Sequence, residues 1–213
     1  MPTTELTCRA VLFDCDGVLV NSEASVERAW RRWADMYGLD PVTVPRSTLG
    51  RRAQDSVADL LSPADRERGL ATINALELDD AASVSAVAGA TRLIESIPDS
   101  ARAIVTSGSQ ALALARLAAA GILPPAVLIT GDTVAAGKPA PEGYLQAAAA
   151  LGVRPGDAVV LEDSPAGIEA ARAAGVSGVI GVGSTVADTG ADVVVNDLSR
   201  LRWADGTLRF ESH

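Results

Sequence analysis

Asp14 and Asp16 close the first apolar run of the chain, in Phe13-Asp14-Cys15-Asp16-Gly17. Two carboxylates at this spacing, on a loop that follows a strand, can converge on one cation or one reacting atom, and strand ends are where open α/β sheets place ligands. Phosphoryl chemistry is therefore the first hypothesis. An isolated Asp-x-Asp-Gly also describes many solvated turns, so three later segments carry the weight. Thr106-Ser107-Gly108-Ser109 offers a hydroxyl and successive backbone N–H groups suited to phosphoryl oxygens. Gly137-Lys138-Pro139 holds the only lysine among 18 Lys and Arg residues; its ammonium is a compact point charge that an arginine fork does not replace. Glu162-Asp163-Ser164-Pro165 adds two carboxylates at the start of a helix pattern.

Together these groups can perform a phosphoryl transfer. Asp14 is the candidate nucleophile, forming an aspartyl-phosphate. Asp16 is the candidate acid and base, protonating the leaving oxygen and then deprotonating the attacking water. Thr106, with the Ser107 and Gly108 N–H groups, would hold the phosphoryl oxygens, and Lys138 supplies positive charge where negative charge crowds. Asp14, Asp16 through its backbone carbonyl, and Asp163 are the candidate metal ligands. Mg2+ is the expected ion, since it takes one or two carboxylates plus substrate phosphate. Glu162 would orient Lys138, or a water near the ion, from behind. Ser164 also reads as a helix N-cap and Thr106-Ser107 as a turn cap; both duties are compatible with the chemistry.

Composition removes other classes. The 213 residues carry a formal charge of −9, against a broad nucleic-acid surface, which needs clustered Lys and Arg. The only histidine is His213, which argues against a Ser-His-Asp or Cys-His system and leaves no zinc ligand cluster with Cys8 and Cys15. Those two cysteines lie on or beside one strand and read as reduced thiols of a cytoplasmic protein. The N-terminus has no basic segment followed by an apolar one, so no signal peptide is expected. The longest uncharged apolar stretch, 117–130, is short and broken by Pro124-Pro125, so no membrane span is expected.

The positioning elements follow from periodicity. Residues 24–39, 54–61 and 65–78 carry apolar residues three and four apart and predict helices, with Trp30 and Trp33 packing inward. The stretch 23–88 shows no strand pattern. Strands and helices then alternate: strands at 103–106, 127–130, 158–161, 179–182 and 192–195, helices at 110–120, 141–151 and 165–174. The last of these has Pro165 at its start and Gly175 at its end, the usual asymmetry. Residues 202–210, around Asp205-Gly206, predict a terminal hairpin. Repeated strand–helix units imply a parallel sheet covered on both faces. The expected architecture is α/β: a Rossmann-like core formed by residues 1–20 and 90–213, with an inserted all-helical cap over 21–89. With apolar residues at 48 % and aromatics at 3 %, the core is expected to be aliphatic.

The ordered set Asp14/Asp16, Thr106, Lys138, Asp163 resembles the haloacid dehalogenase (HAD) superfamily, in its phosphatase branch with a small helical (C1) cap. The resemblance spans nearly the whole chain. It implies the roles already given: nucleophile Asp14, acid/base Asp16, phosphate ligand Thr106, charge clamp Lys138, metal ligand Asp163. Residues 25–30, 104–109, 137–145 and 161–168 are similar to bacterial sugar phosphatases and to the yeast glycerol phosphatase and 2-deoxyglucose-6-phosphate phosphatase group. In related caps the region of Arg51 and Arg52 faces the active site, which makes this pair, Arg51 first, the candidate binder of the substrate's polar end. Asn21 and Glu23 at the cap hinge are further candidate substrate contacts; many relatives have Asp where this chain has Asn21.

The resemblance also sorts reactions. Dehalogenation does without a second aspartate such as Asp16. A phosphonatase would use a cap lysine, and 23–88 has none. A β-phosphoglucomutase would carry a hinge histidine where Val26 stands. The expectation is a Mg2+-dependent phosphatase that hydrolyses small phosphorylated sugars, polyols or glycerol phosphate through an aspartyl-phosphate. The alternatives are a phosphosugar mutase of the β-phosphoglucomutase type and a non-catalytic phosphometabolite-binding protein. The expected partner is a small phosphorylated metabolite, with neither nucleic acid nor membrane, and the protein is expected to be a monomer or weak homodimer.

Overall fold

A computed structural model describes residues 3–187 and 189–211; His213 lies outside them. Eleven strands and eight α-helices are described. In chain order they begin β1 (Thr3–Thr7), β2 (Ala10–Phe13), β3 (Val20–Asn21), α1 (Glu23–Met36), α2 (Thr43–Ser47), α3 (Ala53–Leu60), α4 (Arg66–Asp79) and β4 (Ser85–Ala86). They continue α5 (Ala90–Ser96), β5 (Arg102–Val105), α6 (Gln110–Ala119), β6 (Leu128–Ile129), α7 (Glu142–Ala150), β7 (Ala158–Glu162), α8 (Pro165–Ala174), β8 (Gly178–Val182), β9 (Val193–Val195), β10 (Leu201–Ala204) and β11 (Thr207–Glu211).

Six strands form a parallel sheet in the order β6-β5-β2-β7-β8-β9. β2 lies inside it, so the loop carrying Asp14 emerges between those after β5 and β7. The chain leaves β2 toward β5 and later crosses to β7 on the other side. That reversal opens a crevice at the strand ends. β2 is buried on both faces: Val11 and Phe13 join Leu93, Ile94 and Leu117 of α5 and α6, while Ala10 and Leu12 join Tyr144, Ala147 and Ile168 of α7 and α8. Period-2 alternation on a doubly covered strand gives an unbroken apolar run, which is how this segment reads in sequence.

Helices α1, α3 and α4 close on a separate apolar cluster of Trp30, Trp33, Ala34, Val57 and Ile73. Trp30 and Trp33 meet edge-on, 5.2 Å between ring centres, and the Trp33 indole N–H donates to the Gly69 carbonyl at 2.8 Å. The helical unit leaves and rejoins the core through β3 and β4, which pair antiparallel, Val20 with Ala86 and Asn21 with Ser85.

Four elements differ from expectation. The first apolar run does form one strand, β2, but a further strand, β1, precedes it: Cys8 and Arg9 lie between the two, where the Cys8 N–H meets the Gly206 carbonyl at 2.9 Å. β1 joins the terminal hairpin β10–β11 in a second, antiparallel sheet. The stretch 23–88 does contain a strand, β4. Helices α2 and α5 also come without a sequence expectation: α2 is one short turn around Pro45, and α5 starts after Gly89, whose φ is +84°.

Candidate active site

Every core segment singled out in sequence arrives at one edge of the parallel sheet. Asp14 follows β2, Thr106 follows β5, Glu162 ends β7 and Asp163 follows it, and Lys138 lies in the loop before α7. The Lys138 ammonium contacts the carboxylates of both Asp14 and Glu162. It also lies 5.4 Å from the centre of the Tyr144 ring. Lys138 is 7 % exposed, Asp14 6 % and Glu162 0 %, so these charges interact in a region of low effective dielectric.

Glu162 has no capacity left for a ligand. One oxygen accepts from Lys138 and from the Tyr144 hydroxyl at 2.8 Å. The other accepts from the N–H groups of Asp163 and Ser164 and from the Ser164 hydroxyl. Ser164 in turn caps α8, accepting from the Gly167 N–H at 3.1 Å. Capping and site-building are thus one network.

Asp163 is the opposite case. Its carboxylate has no hydrogen-bond donor or ion pair among the described residues, yet it sits half-buried beside Asp14: one oxygen each of Asp14, Glu162 and Asp163 lie within 4.8 Å of one another. Burial raises the Asp163 carboxyl well above its ordinary value, and Asp14 and Glu162 add to the rise. Burial likewise pushes Asp14 up to about 8, against the opposing pull of Lys138. Burial alone would lower Lys138, but Asp14 and Glu162 raise it well above its ordinary value. Three carboxylates thus face one ammonium. A hard divalent cation held by Asp14 and Asp163 fits this donor set and its excess negative charge. Gly17 allows the approach: at φ +76° it holds the turn, and a Cβ there would collide with the Asp163 carboxylate.

The Asp16 carboxylate lies outside that cluster. Its Oδ1 accepts from the Ser22 hydroxyl at 2.7 Å and from Arg116 at 2.9 Å. Any share of Asp16 in the cation site is therefore restricted to its backbone carbonyl. The Thr106 hydroxyl accepts from the Gly108 N–H at 3.1 Å, so Gly108 braces the turn, while the Ser107 N–H has no partner among the described residues. The Ser107 hydroxyl reaches across to the helical unit and donates to the Gly50 carbonyl at 2.7 Å. Gly50 (φ +72°) rests so near Ser164 that a Cβ would strike its side chain. The helical unit is thus seated on the core.

A cavity of about 430 Å3 lies between the two units. Asp14, Asp16, Thr106, Ser107, Gly108 and Asp163 line its floor; Asn21, Glu23 and Arg51 line its wall. Arg51 pairs with exposed Asp59 at 2.7 Å, a contact that costs little to exchange. Arg52 does not reach this cavity. Its guanidinium is buried and bonds Asp55 and the carbonyls of Val134 and Ala135. It is a strut from the helical unit to the core, and the sequence expectation of a substrate contact is revised accordingly.

Sequence reasoning missed Ser22, Tyr144, Glu77 and Arg116. Both cysteines are free and buried, and burial raises the Cys15 thiol well above its ordinary value, so neither is a nucleophile at neutral pH.

Comparison with known proteins agrees with this geometry. Residues 8–175 match the haloacid dehalogenase-like hydrolase family. The chain is 38 % identical over 175 residues to hexitol phosphatase A of Escherichia coli, covering 80 % of this chain and 81 % of that one. It is 37 % identical over 205 residues to validoxylamine A 7'-phosphate phosphatase of Streptomyces hygroscopicus subsp. limoneus, covering 92 % and 96 %. A hydrolase from Pseudomonas syringae shares the fold, with a TM-score of 0.82 at 23 % identity over 91 % of this chain and 95 % of that one.

Proposed function

The chain belongs to the haloacid dehalogenase-like hydrolases, and from that premise we propose that it is a Mg2+-dependent phosphatase of small phosphorylated sugars and polyols, glycerol phosphate included. The observation that carries this reading is the pairing of Lys138 with Asp14 beside an Asp163 carboxylate that has no partner among the described residues. A purely binding protein needs neither a nucleophile nor an acid.

The substrate's phosphoryl oxygens meet the Thr106 hydroxyl and the Ser107 N–H, while Lys138 offsets their charge. Asp14 attacks phosphorus and the ester oxygen leaves with a proton from Asp16. Asp16 then takes a proton from the water that attacks the aspartyl-phosphate, and inorganic phosphate departs. Mg2+, held by Asp14 and Asp163, would supply further charge compensation for the phosphoryl group. The helical unit, residues 21–89, acts as a cap that excludes bulk water, and Arg51 binds the substrate's polar end. All these groups come from one chain, so a monomer suffices. The two buried free thiols suit a cytoplasmic setting.

The mutase alternative needs a proton acceptor at position 26 of the hinge to activate a sugar hydroxyl. Val26, which lines the cavity, offers none, which favours water as acceptor. The test is phosphate release from hexitol, hexose and glycerol phosphates with Mg2+. Asp14→Asn is expected to abolish turnover with the fold intact, and Arg51→Ala to raise KM. Isomerised product without phosphate release would replace this reading with the mutase. Full turnover by Asp14→Asn would remove the nucleophile.

A further inference from the structure

Arg116 projects from α6 into the wall of the cavity at 2 % exposure. Of its guanidinium nitrogens, Nη1 donates to Asp16 Oδ1 at 2.9 Å. Nη2 lies 3.6 Å from the carboxylate of Glu77 on α4, beyond hydrogen-bond reach. Nε and Nη2 are sealed from solvent and have no hydrogen-bond partner among the described residues. A buried cation with most of its donors unsatisfied is a poor stabiliser; an apolar side chain of similar volume would serve the fold as well or better. Because Nε and Nη2 are sealed, they do not touch a molecule in the cavity. What Arg116 does is hold one oxygen of Asp16.

Both bonds to Asp16, from Arg116 and from Ser22, fall on Oδ1. Oδ2 carries none. We propose that Arg116 is a positioning residue for proton transfer: by fixing Oδ1 it presents Oδ2 to the ester oxygen, while the carboxylate of Glu77, on the helical unit, faces the other end of the guanidinium. The inference rests on the reading of Asp16 as the acid. In the step concerned, the Asp14 carboxylate forms a bond to phosphorus as the ester P–O bond breaks. The ester oxygen takes the electron pair and the proton carried on Asp16 Oδ2.

An alkoxide leaving group needs that proton and a nitrophenolate does not, so the experiment compares kcat/KM for a hexitol phosphate and for p-nitrophenyl phosphate. Asp16→Asn is expected to lose about 10²- to 10⁴-fold on the alkyl ester and far less on the aryl ester. Arg116→Met is expected to repeat the pattern at smaller amplitude, at least about 10-fold on the alkyl ester and no more than about threefold on the aryl ester. Arg116→Lys, which keeps the charge and lacks the fork, should discriminate likewise and decides the matter if the Met variant fails to fold. Equal losses on both esters, or a rise in KM alone, would overturn the inference while Asp16→Asn still discriminates. If Asp16→Asn itself fails to discriminate, the acid is misassigned. If the wild type releases phosphate from neither ester, the phosphatase reading falls first.

Discussion

Glu77 gives the sharpest physical prediction. Burial pushes its carboxyl from the ordinary 4.5 up to about 7, against the opposing pull of Arg116 and with Asp16 adding to the rise. Below pH 4.5 the folded and unfolded chains both carry the proton, and the group contributes nothing. Between 4.5 and 7 the unfolded chain ionises and the folded chain does not, so stability falls as pH rises. Above 7 both are ionised and the cost is complete. About 2.5 pH units at about 1.36 kcal/mol each give roughly 3 kcal/mol. Glu77→Gln keeps the shape and has no proton to lose. The variant's unfolding free energy, minus that of the wild type, is therefore expected to climb by about 2.5 kcal/mol between pH 5 and pH 8, the first part of the rise lying below pH 5. All other titrations are common to the two proteins and cancel. Urea unfolding at three pH values measures this. A flat difference would refute the claim that Glu77 is held out of water against Arg116, and a falling one would mean that the ion pair outweighs the burial.

Three further outcomes follow from the site. Lys138→Met strips from Asp14 and Glu162 the one cation that contacts them among the described residues and is expected to cost about 3–5 kcal/mol at neutral pH, read as a lower urea midpoint; an unchanged midpoint would deny that the ammonium compensates buried carboxylates. Mg2+ at about 100 times its Kd should stabilise the wild type by about 2.7 kcal/mol. Asp163→Asn should lose most of that gain in a thermal shift, and an equal shift in both proteins would take Asp163 out of the cation set. Gly50→Ala forces a side chain into a left-handed turn at a strain of about 1–2 kcal/mol and against Ser164. It should lower kcat/KM by lifting the helical unit from its seat, and wild-type turnover would show that the seat does not matter.

The sheet-edge residues were legible because a parallel sheet delivers every strand end to one side, so an Asp, a Thr and an Asp after three apolar runs must be neighbours. Pro165 and Gly175 marked α8 to the residue. Arg116 was not legible as a site residue: a lone arginine in the alanine-rich helix makes no motif. Its one signal is position, between Leu112 and Leu117 on the stripe that faces inward, where a charge requires a buried partner. Glu77 and Ser22 have no signal until the helical unit folds down on the core. β1 was missed because Thr-Thr-Glu-Leu-Thr lacks an apolar rhythm and its partner lies at the far end of the chain. Arg52 misled because an arginine beside a substrate loop and an arginine bracing that loop share the same letters.

The two-strand joint of Val20-Asn21 with Ser85-Ala86 has an architectural consequence. Outgoing and returning chain are stitched together at the root, so whatever is spliced between them hangs from a single stem. Growth, shrinkage or wholesale exchange of that appendage leaves the neighbouring strand pairings unmoved. A replacement appendage inherits that root but must bring its own footing on the sheet edge, as Gly50 and Arg52 do here.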